Sequence, residues 1–150
     1  MRRALLFDLD ETLMADESAA VAAFEATARS AAARADVDVA GMAIAARGRA
    51  REVWHAAPTH AYCRRVGIAS WEGLWCRFEG DGPETRALHE WSGTYRREAW
   101  RLALADQGVR DAELAAELAQ RFGAERRARH EVFVDAAALV ALNESHAFAL

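Results

Sequence analysis

Apolar and polar positions along this chain change their period twice. Ala4-Leu5-Leu6-Phe7 is an unbroken apolar run that ends in charge at Asp8, with Asp10 and Glu11 close behind. A short continuous run of this kind predicts a strand covered on both faces, as in a parallel sheet. From about residue 16 to residue 131 the period is helical instead. Asp16 or Ser18 offers an N-cap for a helix reaching about Ala35, with Val21, Phe24 and Ala28 on one face. Asp36 to Ala40 breaks that run, and a second helix to about Ala57 turns Met42, Ala46, Val53 and Ala57 inward. Pro58-Thr59 opens a compact stretch through Tyr62, Arg64 and Arg65, closed by Gly67. Ser70 is placed to cap a short helix bearing Trp71, Trp75 and Phe78.

Gly80-Asp81-Gly82-Pro83 is a turn with Pro at a first helical position. The helix it starts, Glu84 to Gln107, puts Leu88, Trp91, Tyr95 and Leu102 on one stripe, and Gly108 ends it. Asp111 caps another helix carrying Leu114, Leu118 and Phe122, with an interruption expected at Gly123. Near Val132 the pattern shifts again. Val132 to Asp135 leads into a helix with Leu139 and Leu142, broken near Asn143, and His146 to Leu150 is a second buried strand. The helical residues between the two strands are far more than the dozen or so of a simple crossover. The expected fold is α/β: a Rossmann-like core of which two parallel strands are present, with an inserted all-α domain. The boundaries expected are 1–14 and 132–150 for the core and 15–131 for the insert.

The first strand also carries the candidate chemistry. Residues two apart on a strand point the same way, so Asp8 and Asp10 are expected to converge. They would do so at a carboxyl end, where open α/β sheets collect their ligands. Two crowded carboxylates resist joint ionisation unless a cation sits between them. A hard divalent ion with oxygen ligands, Mg²⁺ above all, resolves that conflict.

The apolar strand followed by Asp8-x-Asp10-x-Thr12 resembles the first motif of the haloacid-dehalogenase-like (HAD) hydrolases. Trp54, Gly67-Ile68-Ala69-Ser70 and Arg77-Phe78 look like the helical cap that subfamily I of that superfamily inserts after the motif. The resemblance implies Asp8 as nucleophile, forming an aspartyl-phosphate, and Asp10 as the acid and base that serves the leaving oxygen and then water. It implies Mg²⁺ held by the Asp8 carboxylate and the Asp10 carbonyl, with Thr12 orienting the loop. His60 and Arg64 fall in a cap connection where such enzymes read the leaving group. The function implied is a Mg²⁺-dependent hydrolase of a small phosphorylated metabolite. Dehalogenases of this fold typically lack the second Asp, so Asp10 favours phosphoryl transfer, and a phosphomutase uses the same pair. A non-catalytic helical interaction module, with the acidic turn as a relic, is the alternative of a different class. The Ser or Thr that follows the family's second strand, the later basic residue and the acidic metal-binding pair would all fall beyond Leu150. The chain is therefore expected to be the N-terminal part of a larger enzyme and inactive alone.

Composition narrows the partners. Nineteen basic residues against twenty-three acidic give a net charge of −4, which disfavours a general nucleic-acid binder. Every basic residue is Arg, with no Lys anywhere. Arg121, Arg126, Arg127 and Arg129 are interleaved with Glu125 and Glu131, the pattern of a solvated helix face. No apolar stretch approaches the roughly 20 residues of a membrane span, and Met1-Arg2-Arg3 with four apolar residues is too short for a signal peptide; a cytoplasmic protein is expected. His55, His60, Cys63 and Cys76 lack the close ligand pair that anchors a zinc site. Helical spacing makes Trp71, Trp75, Trp91 and Trp100 packing residues before pocket residues.

Overall fold

The computed structural model describes residues 4–139 and 147–149. Strand β1 (Ala4–Leu6) pairs in parallel with β4 (Ala147–Ala149), Leu5 opposite Phe148. A second small ladder, β2 (Met14–Ala15) antiparallel to β3 (Glu131–Val132), joins the two chain segments that lead into and out of the helical region. Between them lie α1 (Glu17–Ala32), α2 (Val39–His55), α3 (His60–Val66), α4 (Ser70–Gly73), α5 (Pro83–Asp106) and α6 (Ala112–Arg127).

The bundle forms because four long helices bury alternate turns against each other: α2 on α5, α1 on α6 and on α2, and α5 on α6. On α1 and α2 the inward positions are mostly alanine (Ala23, Ala28, Ala31, Ala46, Ala50), so the helix axes approach closely. The volume is filled from the other side by large residues. Phe24 packs tilted against Phe122 with ring centroids 4.5 Å apart, and Trp100 closes the group at 6.0 Å from Phe122. Trp54 packs on Tyr95 at 5.1 Å, and the Tyr95 hydroxyl donates to the Ser70 carbonyl at 2.7 Å. Fully burying one such aromatic side chain stabilises by about 1.5–3 kcal/mol, so these rings carry the core that the alanines leave thin.

Several sequence expectations shift in detail. β1 ends at Leu6, so Asp8 and Asp10 sit in a loop and not on one face of a strand. Val21 is at the rim of the α1 face and exposed, because burial on α1 follows Ala20, Phe24, Thr27 and Ala31. The Pro58 to Gly67 stretch is a helix, closed by Gly67 in the left-handed conformation. The short helix at Ser70 is capped from Ala69, whose N–H donates to the Glu72 carboxylate, and ends before Trp75 and Phe78. α6 continues through Gly123, since a glycine costs only about 1 kcal/mol within a helix and Leu118 and Phe122 are held in the core. After β3, Val134–Ala138 is a 3₁₀ turn, and Leu139, expected on a helix, is helical. The expectations for Leu142, Asn143, His146 and Leu150, and for Met1-Arg2-Arg3, fall outside the described residues. Among the described residues no helix is long and apolar enough to cross a membrane.

Candidate active site

The loop that follows β1 is a tight, internally bonded turn. The N–H groups of Leu13 and Met14 both donate to the Leu9 carbonyl, at 2.9 and 3.1 Å, and Glu11 N–H donates to the Met14 carbonyl at 2.8 Å. Closing so short a turn puts Glu11 at φ +55°, in the left-handed region that a non-glycine residue seldom adopts. The Glu11 carboxylate offsets that cost. Its Oε1 accepts the Asp16 and Glu17 N–H groups at 2.8 and 2.7 Å, two donors that the first turn of α1 cannot satisfy itself. The turn is thereby fastened to the first helix of the bundle.

Asp8 and Asp10 are both exposed on this turn, just past the carboxyl end of β1. The Asp8 carboxylate accepts the Leu9 N–H at 3.0 Å. Partial burial raises the Asp10 carboxyl above the ordinary carboxylate range; Asp16 and then Asp8 add to the rise, and Arg126 opposes it. Strand periodicity therefore does not align the two carboxylates, because β1 ends at Leu6, and Asp8 acts on Asp10 as a lesser electrostatic contribution. Thr12 is exposed and makes no side-chain hydrogen bond among the described residues, so it is Glu11 that fastens the turn.

The charge network around Asp10 includes residues that sequence reasoning assigned elsewhere. Asp16 stands at the N-terminus of α1, but its side chain makes no cap hydrogen bond. It is buried, and its Oδ1 pairs with Arg126 of α6 while its Oδ2 accepts the Trp71 indole N–H at 2.7 Å. Arg126 is 1% exposed, the opposite of the solvated position expected for it, and stacks over Trp75 at 5.1 Å. Its Nε and Nη1 have no hydrogen-bond partner among the described residues. Arg121 and Arg129, by contrast, pair with Glu125 near the surface as expected. Glu72 belongs to the same electrostatic neighbourhood. Burial raises its carboxyl, the Ala69 N–H lowers it, and Asp10 and Asp16 push it up again. Cys76 follows Trp75 in the next loop, and burial pushes its thiol up to about 12, which leaves it unreactive.

The remaining candidates lie on the bundle. His55 and His60 face each other with ring centroids 5.0 Å apart, and with Arg51 and Arg64 they border a cavity of about 220 Å³. Cys63 is buried behind them, 3.9 Å from the Thr59 hydroxyl. Among the described residues no three His, Cys, Asp or Glu side chains form a metal-holding group. A magnesium ion does not require one, since it keeps several waters and is commonly bound through one or two carboxylates plus substrate oxygens. The exposed Asp8 carboxylate fits that demand. So does the Asp10 carbonyl, because the hydrogen bonds of the turn close on the carbonyls of Leu9 and Met14 and not on that of Asp10.

No family model matches this chain. Over 137 residues, 91% of the chain, it is 34% identical to a curated phosphoserine phosphatase of Thermus thermophilus, and it spans about half (51%) of that relative's length. No solved structure matches it.

Proposed function

We propose that the chain is part of a HAD-type, Mg²⁺-dependent phosphomonoesterase acting through an aspartyl-phosphate. The observation that carries this is the bonded turn after β1. It presents two exposed carboxylates at the carboxyl end of a parallel strand, one of them raised by partial burial. The likeness to a phosphoserine phosphatase supports the reading at the level of the family. The activity is proposed for the whole protein, of which these residues supply the first catalytic segment. The helical residues 15–131 act as its cap, and Leu13 to Ala15 and Glu131 to Phe133 are the paired linkers between cap and core.

In this reading an ionised Asp8 oxygen attacks phosphorus and the bond to the ester oxygen breaks. Asp10 gives its proton to the departing oxygen, which leaves as an alcohol. Asp10, now a carboxylate, takes a proton from water as that water attacks the phosphorus of the aspartyl-phosphate, releasing phosphate and restoring Asp8. The Asp8 carboxylate and the Asp10 carbonyl would hold Mg²⁺, which would supply charge neutralisation for the phosphoryl group. Asp10 is raised mainly by partial burial and secondarily by Asp16 and Asp8, which suits a group that must carry a proton before it can donate one. His60 and Arg64 are assigned to the leaving group. Asp10 also sets this reading apart from carbon–halogen hydrolysis, where no alkoxide needs a proton.

Single-turnover kinetics on the whole enzyme test the assignment. Asp8→Asn should abolish aspartyl-phosphate formation. Asp10→Asn should slow that step by roughly 10²–10⁴-fold for an alkyl phosphate and far less for a nitrophenyl phosphate, whose leaving group needs little protonation. Equal losses for both substrates would show that Asp10 is not the acid.

A further inference from the structure

We propose that the concavity between the end of α2 and the start of α3 binds a small, multiply charged oxyanion, a phosphate or carboxylate group. Its sides carry Arg51, His55, His60 and Arg64, and Trp54 and Trp71 contribute aromatic surface. No Asp or Glu lines it. Elsewhere on the bundle the arginines divide: Arg29, Arg34, Arg47, Arg49, Arg101 and Arg121 each have a carboxylate within ion-pair distance, while others such as Arg97 and Arg110 have none among the described residues. Arg51, Arg64 and the two histidines have none among the described residues. The adjacent Glu52 is engaged by Arg49 instead, at 2.6 Å.

The charge balance at this spot is positive by more than the fold itself can neutralise. The C-terminus of α2 contributes the equivalent of about half a negative charge against two guanidinium groups. The cavity, about 220 Å³, is below the roughly 300–1,000 Å³ of sites for drug-sized ligands, which favours a compact anion. A zwitterion is disfavoured, because nothing in the lining pairs with an ammonium group. Trp71 links this concavity to the turn bearing Asp8 and Asp10, since its indole N–H is bonded to Asp16. The anion is therefore either a second charged group on the leaving side of the substrate, a choice that rests on the phosphatase reading, or a separate small metabolite. Anion binding itself does not depend on that reading.

The test is a titration of the 150-residue chain with sulfate, followed by tryptophan fluorescence and calorimetry. Saturable binding is expected, and Arg51→Gln with Arg64→Gln should weaken it about tenfold or more, as expected for lost charge-assisted hydrogen bonds. The charge-matched control Arg97→Gln with Arg110→Gln should bind like the unmodified chain, and circular dichroism confirms that both variants fold. Absence of saturable binding, or equal weakening in both double variants, overturns the proposal. A parallel titration with fructose 1,6-bisphosphate, with and without Mg²⁺, separates the two sources. Tightening by Mg²⁺ that is lost in Arg51→Gln/Arg64→Gln marks the leaving group of a substrate. Mg²⁺-independent binding that the same variant weakens marks a separate anion. In Asp8→Asn, sulfate binding should persist even if the phosphatase assignment fails.

Discussion

Removing one partner from the Asp16–Arg126 pair should be among the most damaging changes available outside the aromatic core. Arg126 is 1% and Asp16 6% exposed, so a lone charge at either position cannot recover its hydration. Breaking a buried pair in this way costs about 3–5 kcal/mol. For a chain of this size each kcal/mol lowers the thermal midpoint by about 2–4 °C, so a loss of roughly 6–20 °C is expected. The two single changes should not be equal. Arg126→Met leaves Asp16 with the Trp71 N–H still donating to it, and a carboxyl can take up a proton. Asp16→Asn leaves a guanidinium that cannot lose its charge, with Nε and Nη1 lacking hydrogen-bond partners among the described residues and the Trp75 ring and the longer-range attraction of Asp10 and Glu72 as further compensation. Asp16→Asn should therefore cost the more.

The double variant Asp16→Asn/Arg126→Met should recover much of the loss, because it removes both charges and the two orphaned nitrogens together. A coupling of about 2 kcal/mol or more is expected from the cycle. Urea denaturation of the four proteins, with thermal circular dichroism alongside, measures it. Additive losses, or an Arg126→Met cost below about 1 kcal/mol, would show that the pair is solvated and that the charge network described beside Asp10 does not hold.

Two further changes report on the same region. Glu11→Ala frees the Asp16 and Glu17 N–H groups and should cost about 1 kcal/mol, with faster hydrogen exchange at those two amides; Glu11→Gln, which keeps the acceptor, should cost less. Glu72 has a folded-state carboxyl raised chiefly by burial. Its contribution to stability is fully present below the ordinary glutamate value and is lost as pH rises through the folded-state value. Glu72→Gln should therefore raise the thermal midpoint at pH 7 and give no gain near pH 4. A gain of the same size at both would refute a charge-based cost at this position.

Helix existence was legible because it depends on composition and period that act locally. Phe24, Met42, Leu88, Tyr95, Leu114, Leu118 and Phe122 all fall on inward faces as their spacing requires. The parallel pairing of Ala4–Leu6 with Ala147–Ala149 was legible for a similar reason, as two apolar runs bracketing a helical insert. Contacts made at a distance were not. Glu11 reads as one more acid in an acidic turn, and only the curl of that turn brings its carboxylate to the first amides of α1. Asp16 reads as an N-cap because Asp before a helix usually is one, yet a partner 110 residues away takes its carboxylate first.

Arg126 is the instructive case, because a local pattern did carry it. Leu114, Leu118, Phe122 and Arg126 follow one another at four-residue intervals, so the apolar stripe of α6 ends on an arginine. Reading Arg121, Arg126, Arg127 and Arg129 together as a charged patch hid that the first three occupy different positions around α6 and that Arg129 follows its end. Arg121 and Arg129 turn outward to Glu125, while Arg126 continues the stripe into the interior. A guanidinium on an apolar stripe must either meet a carboxylate or leave the core. Its partner must then come from a segment packed against that helix, and α1 and α5 both are. Asp16 is the acid at the α1 end nearest the β2–β3 junction, where α6 also finishes. The pair therefore joins the segment entering the helical bundle to the segment leaving it, directly beside the turn that presents Asp10.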